Sequence, residues 1–221
     1  LDMIIQVSNF HHRKGGAWEA IHLGLADDIR ALRQNALYFN FFLIGSILIM
    51  GIYHLVFFAL RKNEKCALYF GIFCFLIAAR RLLTGERYII DLFPTFDWEV
   101  HTKIAYLTFY LGVPAFAGYF RSFFPKEFSK KAIYIINFVG VLFSVIVLLT
   151  PAKFYTYTTP LFQIFTILAA GYGFYVLNLA LKHTRQGTFV FLVGFVILFL
   201  TVVNDILYSN LLVKTGYMIQ F

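Results

Sequence analysis

The chain has 221 residues, of which 60% are hydrophobic, 20% are aromatic and only 14% are charged, and its formal net charge is +8 at pH 7. Soluble domains are typically about half apolar and about a quarter charged, so this composition excludes an ordinary soluble domain and predicts a protein that crosses a membrane several times. The basic residues lie in short clusters between apolar runs, which is typical of membrane topology and argues against nucleic acid as a partner.

The N-terminal part of the chain is less apolar than the rest. Residues 2–10 (DMIIQVSNF) alternate as a strand does, and HHRKGG (11–16) is typical of a turn. We therefore expect residues 1–25 to form the C-terminal end of a β-rich extracytoplasmic domain. Residues 26–35, with acids first and arginines last, fit a juxtamembrane helix or linker whose charges complement the helix dipole.

Six apolar runs follow, and each is long enough to cross a bilayer as a helix, which takes about 20 residues. The expected spans cover residues 36–60, 66–84, 100–120, 132–150, 158–181 and 188–210, and a seventh apolar run begins near Gly216. The chain lacks an initiator methionine and stops early in this seventh run, so we expect a portion of a longer protein. The predicted fold is an all-α polytopic membrane helix bundle of six complete transmembrane helices and the start of a seventh, preceded by the short β-rich segment.

The distribution of Lys and Arg predicts the orientation of the chain. Nine of these residues follow spans one, three and five, whereas six follow spans two, four and six. Two of those six, Arg80 and Arg81, fall inside an apolar run, and without them the ratio is nine to four. Because cytoplasmic loops carry the excess of positive charge, the N-terminus and residues 85–99 are expected outside, and residues 61–65, 121–131 and 182–186 inside.

The sequence contains no motif for an enzymatic site. A P-loop, a nucleophile elbow, a zinc-binding HExxH helix and a glycine-rich phosphate cradle are all missing from the sequence. His11 and His12 are adjacent but have no third ligand at a usable spacing, and a lone His54 within a span is typical of helix–helix hydrogen bonding. We therefore predict no catalytic residues, no cofactor and no metal site in this chain.

Charged residues inside the apolar runs are the candidate site. Arg80 and Arg81 lie near the end of span two, and Asp205, beside Asn204, lies near the end of span six. At 1.5 Å per residue, Arg80 and Asp205 stand about 21 Å and about 25 Å from the inner ends of their spans, at compatible depth. An unpaired charge in the membrane costs about 2–3 kcal/mol, so we predict that one arginine contacts Asp205, with Asn204 or Glu86 as supporting partners. The alternative is that both arginines extend to the headgroups and Asp205 meets water.

Several segments resemble the membrane region of the bacterial seven-transmembrane receptors with diverse intracellular signalling modules. These segments are IIQVSNFHHRKGG (4–16), GIYHLVFFALRKN (51–63), LYFGIFCFLIAARRLLTGER (68–87), LFPTFDWE (92–99) and FLTVVNDILYSN (199–210). The resemblance implies a periplasmic β-sandwich sensor domain before the seven helices, whose end would be residues 1–25. It also implies that residues 36–221 are the seven-transmembrane signalling region, truncated in helix seven.

By the same resemblance, a cytoplasmic output domain such as a histidine kinase, a nucleotide cyclase or a phosphatase would follow the helices. The implied function is to pass the signal of an extracytoplasmic small-molecule ligand, such as a carbohydrate, across the bacterial inner membrane, in a homodimer. The alternative is a small-molecule transporter that uses Arg80, Arg81 and Asp205 as an intramembrane site. Transporters commonly show internal repeats and paired broken helices, whereas this sequence shows no repeat and one mid-span proline, Pro114.

Overall fold

The computed structural model describes residues 23–84, 95, 97–183, 187–210, 212–213 and 215. These residues form six long helices, α1 (Ala26–Leu60), α2 (Lys65–Leu83), α3 (Trp98–Phe123), α4 (Lys130–Leu149), α5 (Thr159–Lys182) and α6 (Thr188–Ser209). A short helix (Ala152–Tyr155) and a 3₁₀ turn (Thr156–Thr158) lead from α4 into α5, and no strand occurs in this part of the chain. The expected β-rich segment lies outside the described residues except for its last three positions, as do Glu86 and the start of helix seven.

The helix boundaries follow from the local sequence. The Asp97 carboxylate accepts a hydrogen bond from the Val100 amide at 2.9 Å and caps α3, and the Ser129 hydroxyl accepts one from the Lys131 amide at 3.2 Å and caps α4. Gly187 precedes α6 with φ +77°, a conformation that L side chains rarely adopt. At the N-terminus, the predicted juxtamembrane helix and span one are one continuous helix, α1.

Among the described residues, five helical segments are long and apolar enough to cross a membrane: α1, α2, α4, α6, and α5 together with the short helix and turn before it. Helix α3 has 26 residues, a length of about 39 Å, but is less apolar than the other five. Helix α3 has more buried residues than any of the other five helices, and several of them are polar or small, including His101, Thr102, Thr108, Gly112 and Gly118. Its lower hydrophobicity is explained by this contact with protein in place of lipid. Helix α3 faces protein on more sides than the other helices do.

Glycines allow close approach of two neighbours to α3. A Cβ atom at Gly118 would lie 2.5 Å from the Tyr69 ring of α2, and one at Gly140 of α4 would meet the Pro114 ring and come within 2.9 Å of the Tyr110 carbonyl oxygen. Helix α3 continues through Pro114. The position of the proline ring against Gly140 fixes where α4 crosses α3.

Helices α5 and α6 also meet at a glycine. A Cβ atom at Gly173 would lie 2.7 Å from the Phe195 ring, so this glycine permits the two helices to pack closely. At the opposite end of these helices, Gln163 near the start of α5 contacts Ser209 at the end of α6. The two helices are therefore antiparallel.

The remaining contacts show the same alternation of direction along the bundle. Arg81 near the end of α2 bonds to Asn40 in α1, and Arg80 bonds to Ala105 near the start of α3. We call this end of the bundle, which also holds the end of α6, the arginine end. The opposite end, where the loop between α3 and α4 contains Glu127, is called the glutamate end.

Candidate functional site

The two arginines of α2 face different neighbouring helices. The Arg80 Nη1 donates a hydrogen bond to the Ala105 carbonyl oxygen of α3 at 2.8 Å, and its guanidinium carbon lies 5.1 Å from the centroid of the Phe109 ring. The Arg81 Nη2 donates to the Asn40 Oδ1 of α1 at 2.8 Å. Consecutive residues of a helix point about 100° apart, which explains why only Arg80 reaches α3.

Asp205 is fully buried, with 0% of its surface exposed. The Asn204 Nδ2 donates a hydrogen bond to the Asp205 Oδ1 at 3.3 Å, and the Asn204 Oδ1 accepts one from the Thr215 hydroxyl at 2.6 Å. A buried carboxylate needs polar contacts to offset its lost hydration. Asp205 is therefore the residue of α6 whose burial costs the most free energy.

Arg80 and Asp205 lie at a similar height in the bundle. Ile77 of α2 and Val202 of α6 pack in the same apolar cluster, and each precedes one of the two charged residues by three positions. Both charged residues therefore lie about one helical turn from a residue of that cluster, toward the arginine end. The contact between Arg80 and Asp205 stays a prediction.

The glutamate end contains a second buried carboxylate. The Glu127 side chain is 2% exposed, and its Oε1 lies 3.5 Å from the Nδ1 of His183, just after α5. Two residues along the same loop, the Ser129 amide donates a hydrogen bond to the Tyr172 hydroxyl of α5 at 2.9 Å. These contacts tie the loop between α3 and α4 to the end of α5.

The comparison with protein families decides what kind of bundle this is. A family model described as 7TM diverse intracellular signalling matches residues 36–221. The chain belongs to this family. No curated protein and no solved structure matches the chain. The match confirms the resemblance to the seven-transmembrane receptors and shows that residues 36–221 are the membrane region of a multi-pass signalling receptor.

Two buried polar residues of this 7TM signalling region were given no role from the sequence. Gln163 of α5 is buried, its Nε2 donates to the Ser209 hydroxyl at 3.0 Å, and its Oε1 accepts from the Asn210 Nδ2 at 3.0 Å. His101 of α3 is 3% exposed. A carboxamide within the apolar run of span five was a signal that could have singled out Gln163, because such groups bond across helices in membranes.

Replacing Gln163 by leucine is expected to destabilise the contact between α5 and α6, because the substitution keeps the size but removes both hydrogen bonds. Interhelical hydrogen bonds in membrane proteins contribute about 0.6 kcal/mol on average and up to about 1.7 kcal/mol. A double-mutant cycle with Asn210→Ala, read by unfolding in mixed micelles, measures the coupling directly. A cycle that gives additive effects contradicts the expectation.

The arginine end of the 7TM signalling region also has buried hydroxyls. Tyr155 and Thr156, in the turn before α5, are buried, and neither hydroxyl has a hydrogen-bond partner within the described residues. The Tyr110 and Thr158 hydroxyls lie 3.2 Å apart. The bundle interior is thus markedly polar at this end. No three His, Cys, Asp or Glu side chains of the described ranges come together as a metal site.

Between the two ends, the interior of the 7TM signalling region is filled by aromatic rings. Toward the arginine end, the Tyr110 and Phe162 rings are 4.5 Å apart, and toward the glutamate end the Phe120 and Phe191 rings are 5.0 Å apart. Val113 of α3 packs against both of these apolar clusters, one toward each end of the bundle. The two sets of rings are therefore continuous along α3. Edge-to-face ring packing of this kind is geometrically specific, which makes the interior of the bundle stiff.

A cavity of about 80 Å³ interrupts this packing, lined mainly by α3, α5 and α6, with Phe73 of α2 and Ile136 of α4 also in its wall. Its walls include Ala117 and Phe120 of α3, Ala170 and Gly173 of α5, and Phe195 of α6. We call this space the mid-bundle cavity.

Proposed function

We propose that this region passes a signal from an extracytoplasmic sensor domain to a cytoplasmic output domain outside this chain, in a bacterial inner membrane. The observation that carries the proposal is that α3 is held at both ends by polar contacts with different elements. At the arginine end it binds Arg80, and at the glutamate end its following loop reaches α5 through Glu127 and Ser129. Closely packed interiors do not deform continuously, so a shift of α3 at one end has to be accommodated at the other.

The charge distribution supports a cytoplasmic location of the glutamate end. Eight described Lys and Arg residues lie there, namely Arg61, Lys62, Lys65, Arg121, Lys126, Lys130, Lys131 and Lys182. At the arginine end, the side chains of Arg80 and Arg81 bond to neighbouring helices. The other basic residues at that end are Lys103, Lys153, and Arg30 and Arg33 at the start of α1. Under the positive-inside rule this bias supports an outside location for the N-terminal start of α1. With that orientation, α3 also has to cross the membrane, because it connects the end of α2 on the outside to the start of α4 on the inside. This brings the number of spans to six.

Cysteine labelling tests this topology. In a variant without Cys66 and Cys74, Thr95→Cys is expected to react with a membrane-impermeant thiol reagent in intact spheroplasts. Asn63→Cys is expected to react only after the membrane is opened, because it belongs to the basic connection between α1 and α2. Both residues are exposed. Strong labelling at Asn63→Cys together with none at Thr95→Cys in intact spheroplasts would reverse the proposed orientation.

The relay itself is tested at the glutamate end. In the full-length protein, Glu127→Gln is expected to abolish most of the response of the output domain to the external signal, since it removes the charge facing His183 at nearly constant size. Lys126→Gln is the matched control, because Lys126 is the preceding residue and is exposed. The measurement is output activity with and without the signal. An unchanged response in Glu127→Gln, in protein that folds and inserts normally, would reject a relay through this contact.

The composition of the complete receptor is also a proposal. Output modules of the implied kinds act in pairs, which supports a homodimer. The ligand would bind to the sensor domain and would be a small molecule such as a carbohydrate. Analytical ultracentrifugation of the full-length protein in detergent tests the first point, and a change of output with ligand tests the second.

A further inference from the structure

We propose that α1 is a rigid arm that carries a displacement of the extracytoplasmic domain into the bundle, where the contact between Asn40 and Arg81 passes it to α2. This inference rests on the proposed function and adds the route by which the signal enters. Helix α1 runs unbroken for 35 residues, from Ala26 to Leu60. At 1.5 Å per residue its length is about 52 Å, which exceeds a membrane core of about 30 Å. A continuous helix of this length transmits a tilt or a rotation, whereas a flexible linker would absorb it.

The fixed point of the arm is a close contact between α1 and α2 in the half of the bundle nearer the glutamate end. A Cβ atom at Gly71 of α2 would lie 2.7 Å from the Leu55 side chain of α1 and 3.2 Å from the Gly51 carbonyl oxygen. A Cβ atom at Gly51 would in turn lie 3.1 Å from the Phe75 ring. Sliding one helix along the other would bring larger side chains into this contact. A force on the outer part of α1 therefore tilts or turns the helix about this contact.

The bond between Asn40 and Arg81 lies on the arginine-end side of this fixed point. At 1.5 Å per residue, Asn40 stands about 16 Å from Gly51 along α1, so a tilt of the helix displaces it. The Asn40 Oδ1 accepts a hydrogen bond from the Arg81 Nη2 at 2.8 Å. The preceding residue of α2, Arg80, donates to the Ala105 carbonyl oxygen of α3 at 2.8 Å. Two neighbouring residues of α2 thus join α1 to α3, the helix that the proposed relay displaces.

Insertions into the outer part of α1 test the arm in the full-length protein. Two alanines after Gln34 would turn the preceding domain by about 200°, whereas four alanines would return it to within about 40° of its original orientation. We expect two alanines to change the basal output activity by about fivefold or more, as in typical allosteric coupling, and four alanines to change it much less. The matched control is Gly-Ser-Gly-Ser at the same point, which adds the same length as four alanines but less stiffness, and its basal output is expected to differ from theirs. Equal basal output with all three inserts, in protein that inserts normally, overturns the proposal.

The place where the arm enters the bundle is tested by combining an insert with a substitution. Asn40→Leu removes the bond to Arg81, so the effect of the two-alanine insert on basal output is expected to disappear. Arg81→Met removes the same bond from the side of α2 and is expected to act in the same way. Ser46→Leu is the matched control, because Ser46 is an exposed residue of α1 whose hydroxyl bonds to the Phe42 carbonyl oxygen of the same helix, and it is expected to leave the insert effect unchanged. An insert effect that persists in Asn40→Leu or Arg81→Met overturns the assignment to this contact.

A distance measurement separates the arm from the proposed function. Spin labels at Gln34→Cys and Leu60→Cys, two exposed positions of α1, are placed in full-length protein without Cys66 and Cys74 and mixed with an excess of unlabelled protein. They are expected to lie about 39 Å apart with a narrow distribution, and a broad distribution overturns the rigid arm whatever the output does. If the inserts have no effect while Glu127→Gln abolishes the response, the relay stands and the signal does not enter through α1. If Glu127→Gln has no effect either, the proposed function itself fails.

Discussion

Replacing Gly140 by alanine is expected to lower the free energy of unfolding by about 1–3 kcal/mol, the usual range for overpacking a well-packed interior. The added methyl group would meet the Pro114 ring and lie 2.9 Å from the Tyr110 carbonyl oxygen. Since a proline ring and a backbone carbonyl cannot rotate away, α4 itself would have to move off α3. That movement would also disturb the packing of the Tyr110 and Phe143 rings, which are 5.4 Å apart.

The measurement is reversible unfolding in mixed micelles, and Gly194→Ala is the control. Gly194 also lies within a helix, but a Cβ atom there has no neighbour within 4 Å. Alanine has the higher helix propensity, by up to about 1 kcal/mol, so Gly194→Ala is expected to be neutral or slightly stabilising. Equal effects of the two substitutions would show that the close contact at Gly140 is unimportant for stability.

Reversing the charge of Asp205 is expected to have a comparably large effect. Asp205→Arg would bury a second cation at the height of Arg80, and a charge in the membrane interior costs about 2–3 kcal/mol. A destabilisation of this size commonly lowers the amount of folded protein in cells several-fold. If Arg80 and Asp205 interact, adding Arg80→Asp should restore part of the inserted protein and of the signalling response.

The structure supplies a sharp control for this rescue. Arg81 is the next residue of the same helix, but its guanidinium bonds to Asn40 of α1 and not to α3. We therefore expect Arg81→Asp to give no rescue of Asp205→Arg. Membrane expression and output activity are measured for the three single and two double variants. If Arg80→Asp recovers no more than the sum of the single effects, within about 0.5 kcal/mol, the two residues are not coupled.

Much of the candidate site was predictable because charge inside an apolar run is rare and easily recognised. The sequence singled out Arg80, Arg81, Asn204 and Asp205, and helical geometry predicted that the arginines would face different directions. Glu127 was not singled out, because a lone acid in a basic loop is expected to be solvated. Its burial arises from the return of the loop to α5, which brings His183 beside it.

The choice between the two arginines also required the structure. A spacing of 100° shows that two neighbours diverge, but it gives no indication of which helix lies on which side. The bond from Arg80 to Ala105 is made because α3 packs against that face of α2. In the same way, no local pattern indicates that Gln163 would meet Ser209 and Asn210, since these residues are more than 40 positions away.

The sequence by itself determined that this chain is a polytopic helix bundle of a signalling family, because hydrophobic runs of membrane length and in-order motifs are local properties of the chain. The starts of α3 and α4 are local as well, because the side chains of Asp97 and Ser129 cap them. The tertiary structure alone decided which helix occupies the centre. Helix α3 is the least clearly hydrophobic of the six, and it is central because its glycines and polar side chains pack against protein, where close contact and interhelical hydrogen bonds replace contact with lipid.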